Sequence, residues 1–76
     1  MNWNEAIMEC RRRGFLDDDN EYVTPRRTKE QEERHDRLAR FMKQNNITCD
    51  ECLAFVELTL VDNVFAEEFY KELNKI

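Results

Sequence analysis

The sequence predicts an all-α fold, a small domain of three or four helices. Its 76 residues include a single glycine and a single proline, which leaves few turn-forming residues and no glycine-rich loop. Charged residues make up 38% of the chain and hydrophobic residues 41%, a composition typical of amphipathic helices. Apolar residues recur at helical spacing in several segments. The length predicts one domain, residues 1–76.

The first helix is predicted within NWNEAIMECRRRG, where Trp3, Ile7 and Cys10 recur at helical spacing and Gly14 marks the end. The run Arg11–Arg13 falls in the last turn, where positive charge complements the negative end of the helix dipole. We therefore interpret the arginine run as a helix end. A contact with nucleic acid is the alternative.

The segment FLDDDNEYVTP, residues 15–25, has no helical period and predicts an ordered acidic loop, with a very short hairpin as the alternative. Its carboxylates resemble cation ligands in type. The segment lacks the glycine and the distal glutamate that an EF-hand calcium loop requires, so we expect a solvated acidic turn.

The second helix is predicted to begin at Thr24 or Thr28 and to end near Gln44. Acidic residues precede arginines by four positions, which predicts weak ion pairs along the helix. The pairs are Glu30 with Arg34, Glu33 with Arg37, and Asp36 with Arg40. The apolar stripe is short and comprises Leu38, Phe41 and Met42. Only the C-terminal half of this helix therefore requires a core.

Residues 48–76 contain neither glycine nor proline and carry two apolar stripes. The first stripe comprises Leu53, Val56 and Leu60. The second comprises Leu58, Val61, Phe65, Phe69, Leu73 and Ile76. One straight helix would expose one stripe, so a break is expected near Asp62 and Asn63, with a new helix from about Val64 to Asn74. In a continuous helix the second stripe would be an interface.

The motif TCDEC, residues 48–52, has two interpretations. Thr48 and Glu51 match a capping box, which predicts a helix start. The alternative is a structural zinc site built from Cys10, His35, Cys49 and Cys52. A lone CxxC is a weak signal and the other two ligands have no paired spacing, so we expect no metal or other cofactor.

No constellation of residues predicts an enzyme, because the single histidine has no recognisable nucleophile or acid partner in the sequence. The apolar run LAFVELTLV is interrupted by Glu57, and the first residues form no apolar leader. We therefore expect no membrane segment and a cytoplasmic protein. Three cysteines, an odd number, favour reduced thiols over a disulfide framework.

The net charge of −5 is concentrated in the C-terminal segment, residues 47–76, which holds seven acidic and two basic residues. An acidic face favours a partner with a basic surface, such as a nucleic-acid-handling protein, and repels phosphates. We expect a protein-binding accessory or inhibitor, by analogy with stand-alone regulators of phages and mobile elements. A nucleic-acid-binding regulator using Arg11–Arg13 and Arg26–Lys29 is the alternative, and a homodimer is compatible with either.

Two residue sets follow from these patterns. The predicted partner-binding set is Glu57, Asp62, Phe65, Glu67, Glu68, Phe69, Tyr70, Glu72 and Leu73. The predicted core is Trp3, Ile7, Leu38, Phe41, Leu53, Val56, Leu60 and Phe65. Because acids surround aromatic rings in the first set, that segment combines apolar contact area with charge that would orient a basic surface.

Overall fold

A computed structural model describes residues 2–75, and over these residues the chain forms four helices and no strand. The helices are α1 (Trp3–Arg12), α2 (Lys29–Gln44), α3 (Asp50–Val61) and α4 (Asn63–Leu73). The predicted all-α class is confirmed, including the break between the last two helices. None of the described helices combines the length and the apolar character needed to cross a membrane.

Polar side chains define where three helices begin. The Asn2 carboxamide oxygen accepts a backbone N–H at the start of α1. At α2, Thr28 and Gln31 form a reciprocal capping box, which selects Thr28 over the alternative start at Thr24. The Asp62 carboxylate accepts the Phe65 N–H at 3.0 Å and caps α4. This cap explains why the apolar C-terminal segment breaks into two helices.

The predicted capping box at Thr48 is wrong, because α3 begins one residue later. Its N-cap is Cys49, whose sulfur accepts the Cys52 N–H at 3.4 Å. The first helical residue, Asp50, accepts the backbone N–H of Tyr22 at 3.1 Å. This contact connects the start of α3 to the acidic loop that contains Tyr22. The TCDEC motif alone does not indicate such a tertiary contact.

The acidic segment after α1 is an ordered loop, as predicted, and the hairpin is reduced to a single bridge between Leu16 and Tyr22. Gly14 has φ +82°, a left-handed conformation suited to glycine, and turns the chain out of the helix. Asp17 accepts two backbone N–H groups within the turn. Phe15 and Leu16 are buried, so the loop contributes to the core.

Helix α3 lies at the centre of the fold and packs against the other three helices. One apolar cluster joins it to α1, to the loop and to α4: Ala6, Cys10, Phe15, Leu16, Ala54, Phe55, Leu58 and Phe65. A second cluster joins it to α2 and α4: Leu38, Met42, Cys52, Val56 and Leu73. Most residues of the two apolar stripes are therefore covered, except Val61, which is 45% exposed, while Ile76 lies outside the described residues.

The predicted core is correct in half of its members: Leu38, Val56, Leu60 and Phe65 are buried. Ile7 and Leu53 are half-buried. Trp3 is 54% exposed and Phe41 is 38% exposed, so the prediction is wrong for both. Phe55 and Leu58 are buried instead. Periodicity identified apolar residues, but it does not reveal that α3 is covered on all sides.

The three predicted ion pairs of α2 are also wrong. Within residues 2–75, no acidic residue lies within 4.0 Å of the guanidinium groups of Arg34, Arg37 or Arg40. An exposed pair of long side chains gains little from being held together, since water solvates both charges well. These arginines therefore remain available on the surface of α2.

Candidate protein-binding surface

Helices α1, α3 and α4 bring four aromatic rings together. Phe55 is at the centre, with ring centroids 4.7 Å from Trp3, 5.7 Å from Phe65 and 6.0 Å from Phe69, all edge to face. Phe65 and Phe69 are stacked at 5.5 Å. Phe55 and Phe65 are buried whereas Trp3 is more than half exposed, so the cluster runs from the core to the surface.

An open groove of about 470 Å³ lies over this cluster. We call it the acidic groove, and its lining residues are Asn2, Trp3, Ala6, Phe55, Phe65, Glu68, Phe69 and Glu72. The two charged residues of the lining are both glutamates. An apolar floor beside carboxylates favours a ligand that presents an apolar side chain next to positive charge.

The structure brings together part of the predicted partner-binding set. Phe65, Glu68, Phe69 and Glu72 all line the acidic groove. The others lie elsewhere: Glu67 is exposed on α4, Asp62 caps that helix, Leu73 is buried and Tyr70 lines a different groove. Trp3 was missed as a site residue. The sequence feature that indicates its exposure is its position as the first residue of α1, because a residue at a helix end has fewer neighbours to cover it.

Glu57 is a correction to that set, because it is 2% exposed and has no access to a partner. Arg27 donates to its carboxylate from both Nε and Nη2. The Tyr22 hydroxyl donates to Glu57 Oε1 at 2.6 Å, and His35 Nε2 lies 3.4 Å from the same oxygen. Polar and charged side chains on neighbouring segments thus permit burial of a carboxylate that was predicted to lie on the surface.

This buried network raises the pKa values of two of its members, Tyr22 and Arg27. Burial, together with the hydrogen bond to Glu57, raises the pKa of Tyr22 to about 12. The hydrogen bond from Arg27 to Glu57 raises the pKa of Arg27 above its ordinary value. The network joins the loop to α2 and α3, and none of its members is among the described lining residues of the acidic groove.

The alternative zinc set is not assembled within residues 2–75. Cys10 lies in the first apolar cluster and Cys52 in the second, while Cys49 is exposed and caps α3. His35 instead lies near Asp36 and Glu32, which together could present ligand atoms to a cation. Both nitrogens of His35 already face carboxylates, Asp36 and Glu57, at 3.4 Å.

Four of the basic residues of the nucleic-acid alternative make side-chain contacts within the fold. Arg12 and Arg13 both pair with Glu9, and this contact lowers the pKa of Glu9 to about 2. Arg11 donates to Asn20, and Arg27 is committed to Glu57. Arg26 and Lys29 are exposed and have no ion partner within residues 2–75, so these two cations remain available to phosphates and the nucleic-acid alternative stays a prediction.

A second open groove, of about 340 Å³, lies between α2 and α4. We call it the basic groove, and its lining residues are Arg34, Arg37, Leu38, Phe41 and Tyr70. Phe41 and Tyr70 are exposed rings, and the two arginines have no ion partner within residues 2–75. Its floor resembles that of the acidic groove, and its charge has the opposite sign.

Comparison of the chain with known protein families, with curated proteins and with solved structures finds no match in any of the three.

Proposed function

We propose that the protein is a small accessory or inhibitor that binds another protein through the acidic groove. The groove would receive an apolar side chain from a basic surface of the partner. One observation carries the proposal: a tryptophan that is 54% exposed lies over a buried phenylalanine cluster, in a groove whose charged lining residues are glutamates. A concave, mostly apolar surface with a few polar groups is a common setting for a binding site.

The residue types suit a binding hot spot. Trp3 and Phe69 offer large apolar area, and their rings lose little conformational freedom on binding. Trp3 is held edge to face against the buried ring of Phe55, so the exposed ring is oriented before a partner arrives. Preorganisation of this kind reduces the entropy lost on association.

The charges favour a basic protein over other partners. Glu68 and Glu72 line the groove and Glu67 is exposed on the same helix, within a protein of net charge −5. Glu72 also pairs with Lys75 at 3.2 Å, but both side chains are 72% exposed, so this pair is weak and the carboxylate remains accessible. Such a surface attracts positive charge and repels phosphates. If the covered surface is one that the partner uses for nucleic acid, binding would inhibit that use. We propose binding rather than catalysis, and the lining residues that the structure describes include no histidine, cysteine or lysine.

The test is affinity capture at low salt from a lysate of the cells that make the protein, with two baits in parallel. The first bait is the wild-type protein. The second carries Glu67→Lys, Glu68→Lys and Glu72→Lys, which reverses the charge beside the groove and leaves the aromatic floor in place. Circular dichroism melts check that both baits fold.

The proposal expects a stoichiometric basic protein on the wild-type bait, absent or much reduced on the reversed bait. Binding of the purified pair should be slower with the reversed variant at low salt, and the difference should shrink as salt screens the charges. Equal capture by both folded baits would move the interface away from the acidic groove, most directly to the charged half of α2.

A further inference from the structure

We infer that the protein self-associates head to tail, with the acidic groove of one copy placed against the basic groove of a second copy. The two grooves are complementary in charge and alike in their apolar character. Glu68 and Glu72 line one, and Arg34 and Arg37 line the other. The inference goes beyond the proposed function and does not depend on it.

The charges of the basic groove are not paired within residues 2–75. Arg34 and Arg37 are one helical turn apart on α2, and neither has an ion partner within residues 2–75. Like charges at this spacing repel each other. A carboxylate brought in by another molecule would relieve the repulsion, and guanidinium groups bind carboxylates with well-defined geometry.

Trp3 is suited to be the group that enters the basic groove. It is the single tryptophan of the chain and is 54% exposed at the edge of the acidic groove. The basic groove has a volume of about 340 Å³, enough for an indole ring, and two exposed rings line it, Phe41 and Tyr70. An arginine stacked on an indole adds a cation–π attraction to the apolar contact.

The second copy is favoured over an unrelated acidic partner because one chain carries both halves of the contact. Phe69 and Tyr70 are consecutive on α4 and line different grooves, so the grooves lie on different sides of that helix. A copy that uses its acidic groove thus keeps its basic groove open. Contacts of this heterologous kind either close into a ring or continue into a chain.

Self-association and the proposed basic partner use the same acidic groove, so they would compete for it. Self-association is therefore measured on the purified protein with no partner protein present. Failure of self-association would leave the capture result intact, and failure of capture would leave the sedimentation result intact.

The first measurement is sedimentation velocity of the wild-type protein over a rising concentration series at low and at high salt. The weight-average mass should increase with concentration at low salt, and the increase should diminish at high salt because the contact includes ion pairs. A monomer mass throughout the low-salt series overturns the inference without reference to any variant.

The second measurement exchanges charges between the grooves. One variant carries Glu68→Lys and Glu72→Lys, and the other carries Arg34→Glu and Arg37→Glu. Each variant alone should associate about tenfold or more weakly than wild type, since its two grooves now have charges of the same sign. An equimolar mixture should recover association, because each variant then meets a groove of opposite charge.

Wild-type association of either variant alone, or no recovery in the mixture, overturns the inference. Thermal melts check the fold of each variant. If the arginine reversal does not melt cooperatively, Arg34→Gln with Arg37→Gln replaces it and should still weaken self-association. Trp3→Ala gives an independent control, because it removes the proposed anchor without changing charge and should weaken association at both low and high salt.

Discussion

Arg27 and Glu57 form a buried ion pair in which Arg27 Nε lies 2.9 Å from Glu57 Oε1 and the carboxylate is 2% exposed. Arg27 belongs to the segment between the loop and α2, and Glu57 lies in the middle of the central helix. Tyr22 donates to the same carboxylate oxygen and accepts from Arg27. The pair therefore fastens the one long irregular segment of the chain to its core helix.

Arg27→Met should destabilise the protein by about 3 kcal/mol, because it leaves the buried Glu57 carboxylate without its main counter-charge. Urea unfolding followed by circular dichroism gives the free energy of unfolding. The matched control is the double variant Arg27→Met with Glu57→Met, which removes both charges and should recover much of the loss. A single variant as stable as wild type would contradict the account of this network.

Tyr22→Phe should change how stability depends on pH. The folded protein raises the pKa of Tyr22 from 10.0 to about 12, so its neutral form is favoured by folding. This contribution is fully present below pH 10.0 and is lost as pH rises toward about 12. Between these limits the free energy of unfolding should fall more steeply for wild type than for the variant. Parallel curves would show that the hydroxyl is not held as described.

One thiol per chain should react rapidly with a disulfide reagent at neutral pH. Cys49 is exposed, whereas Cys10 and Cys52 are buried, and burial raises the pKa of both buried thiols to about 12. Cys49→Ser should abolish the fast reaction and keep the α3 cap, because serine is a good N-cap residue. Three fast thiols in the folded protein, or protection of Cys49 by added zinc, would contradict this arrangement.

Two substitutions on α3 should differ sharply in their effect. Val56 is fully buried in the apolar cluster that joins α3 to α2 and α4, so Val56→Asp should abolish cooperative melting by placing an unpaired carboxylate in the core. Leu53 is half-buried, so the Leu53→Asp carboxylate can reach water and should lower the melting temperature without unfolding the chain. Cooperative melting of Val56→Asp, or equal effects of the two variants, would show that α3 is not oriented as described.

Local signals predicted the helices well. The break at Asp62 was predicted because one straight helix would expose one of two apolar stripes and because an N-cap residue was available there, and the end of α1 was predicted from Gly14. Tertiary contacts decided what local signals missed. Glu57 was predicted to be a surface residue because its partners, Arg27 and Tyr22, are 30 and 35 positions away in the sequence. Burial of a charge depends on such distant partners and has no local pattern.

The candidate site was predicted only in part, because local spacing shows one helix of the groove and tertiary packing supplies the other. Phe65, Glu68, Phe69 and Glu72 share one side of α4, and their spacing indicated a common surface. The opposite wall of the groove comes from α1, and nothing in the spacing of residues in α4 shows that Trp3 lies against Phe55. Helical periodicity identifies the side of a helix, and only packing determines which helix lies next to it.

The most direct test of the acidic groove uses Trp3, the single tryptophan of the chain, as a fluorescent reporter within the groove. Short lysine- and arginine-rich peptides with a central leucine or phenylalanine are titrated into the protein. Matched peptides replace the central residue with serine. The account predicts saturable emission changes for the apolar peptides, weaker ones for the serine peptides, and loss of binding in the Glu68→Lys and Glu72→Lys variant. No response, or equal responses to both peptide classes, would contradict it.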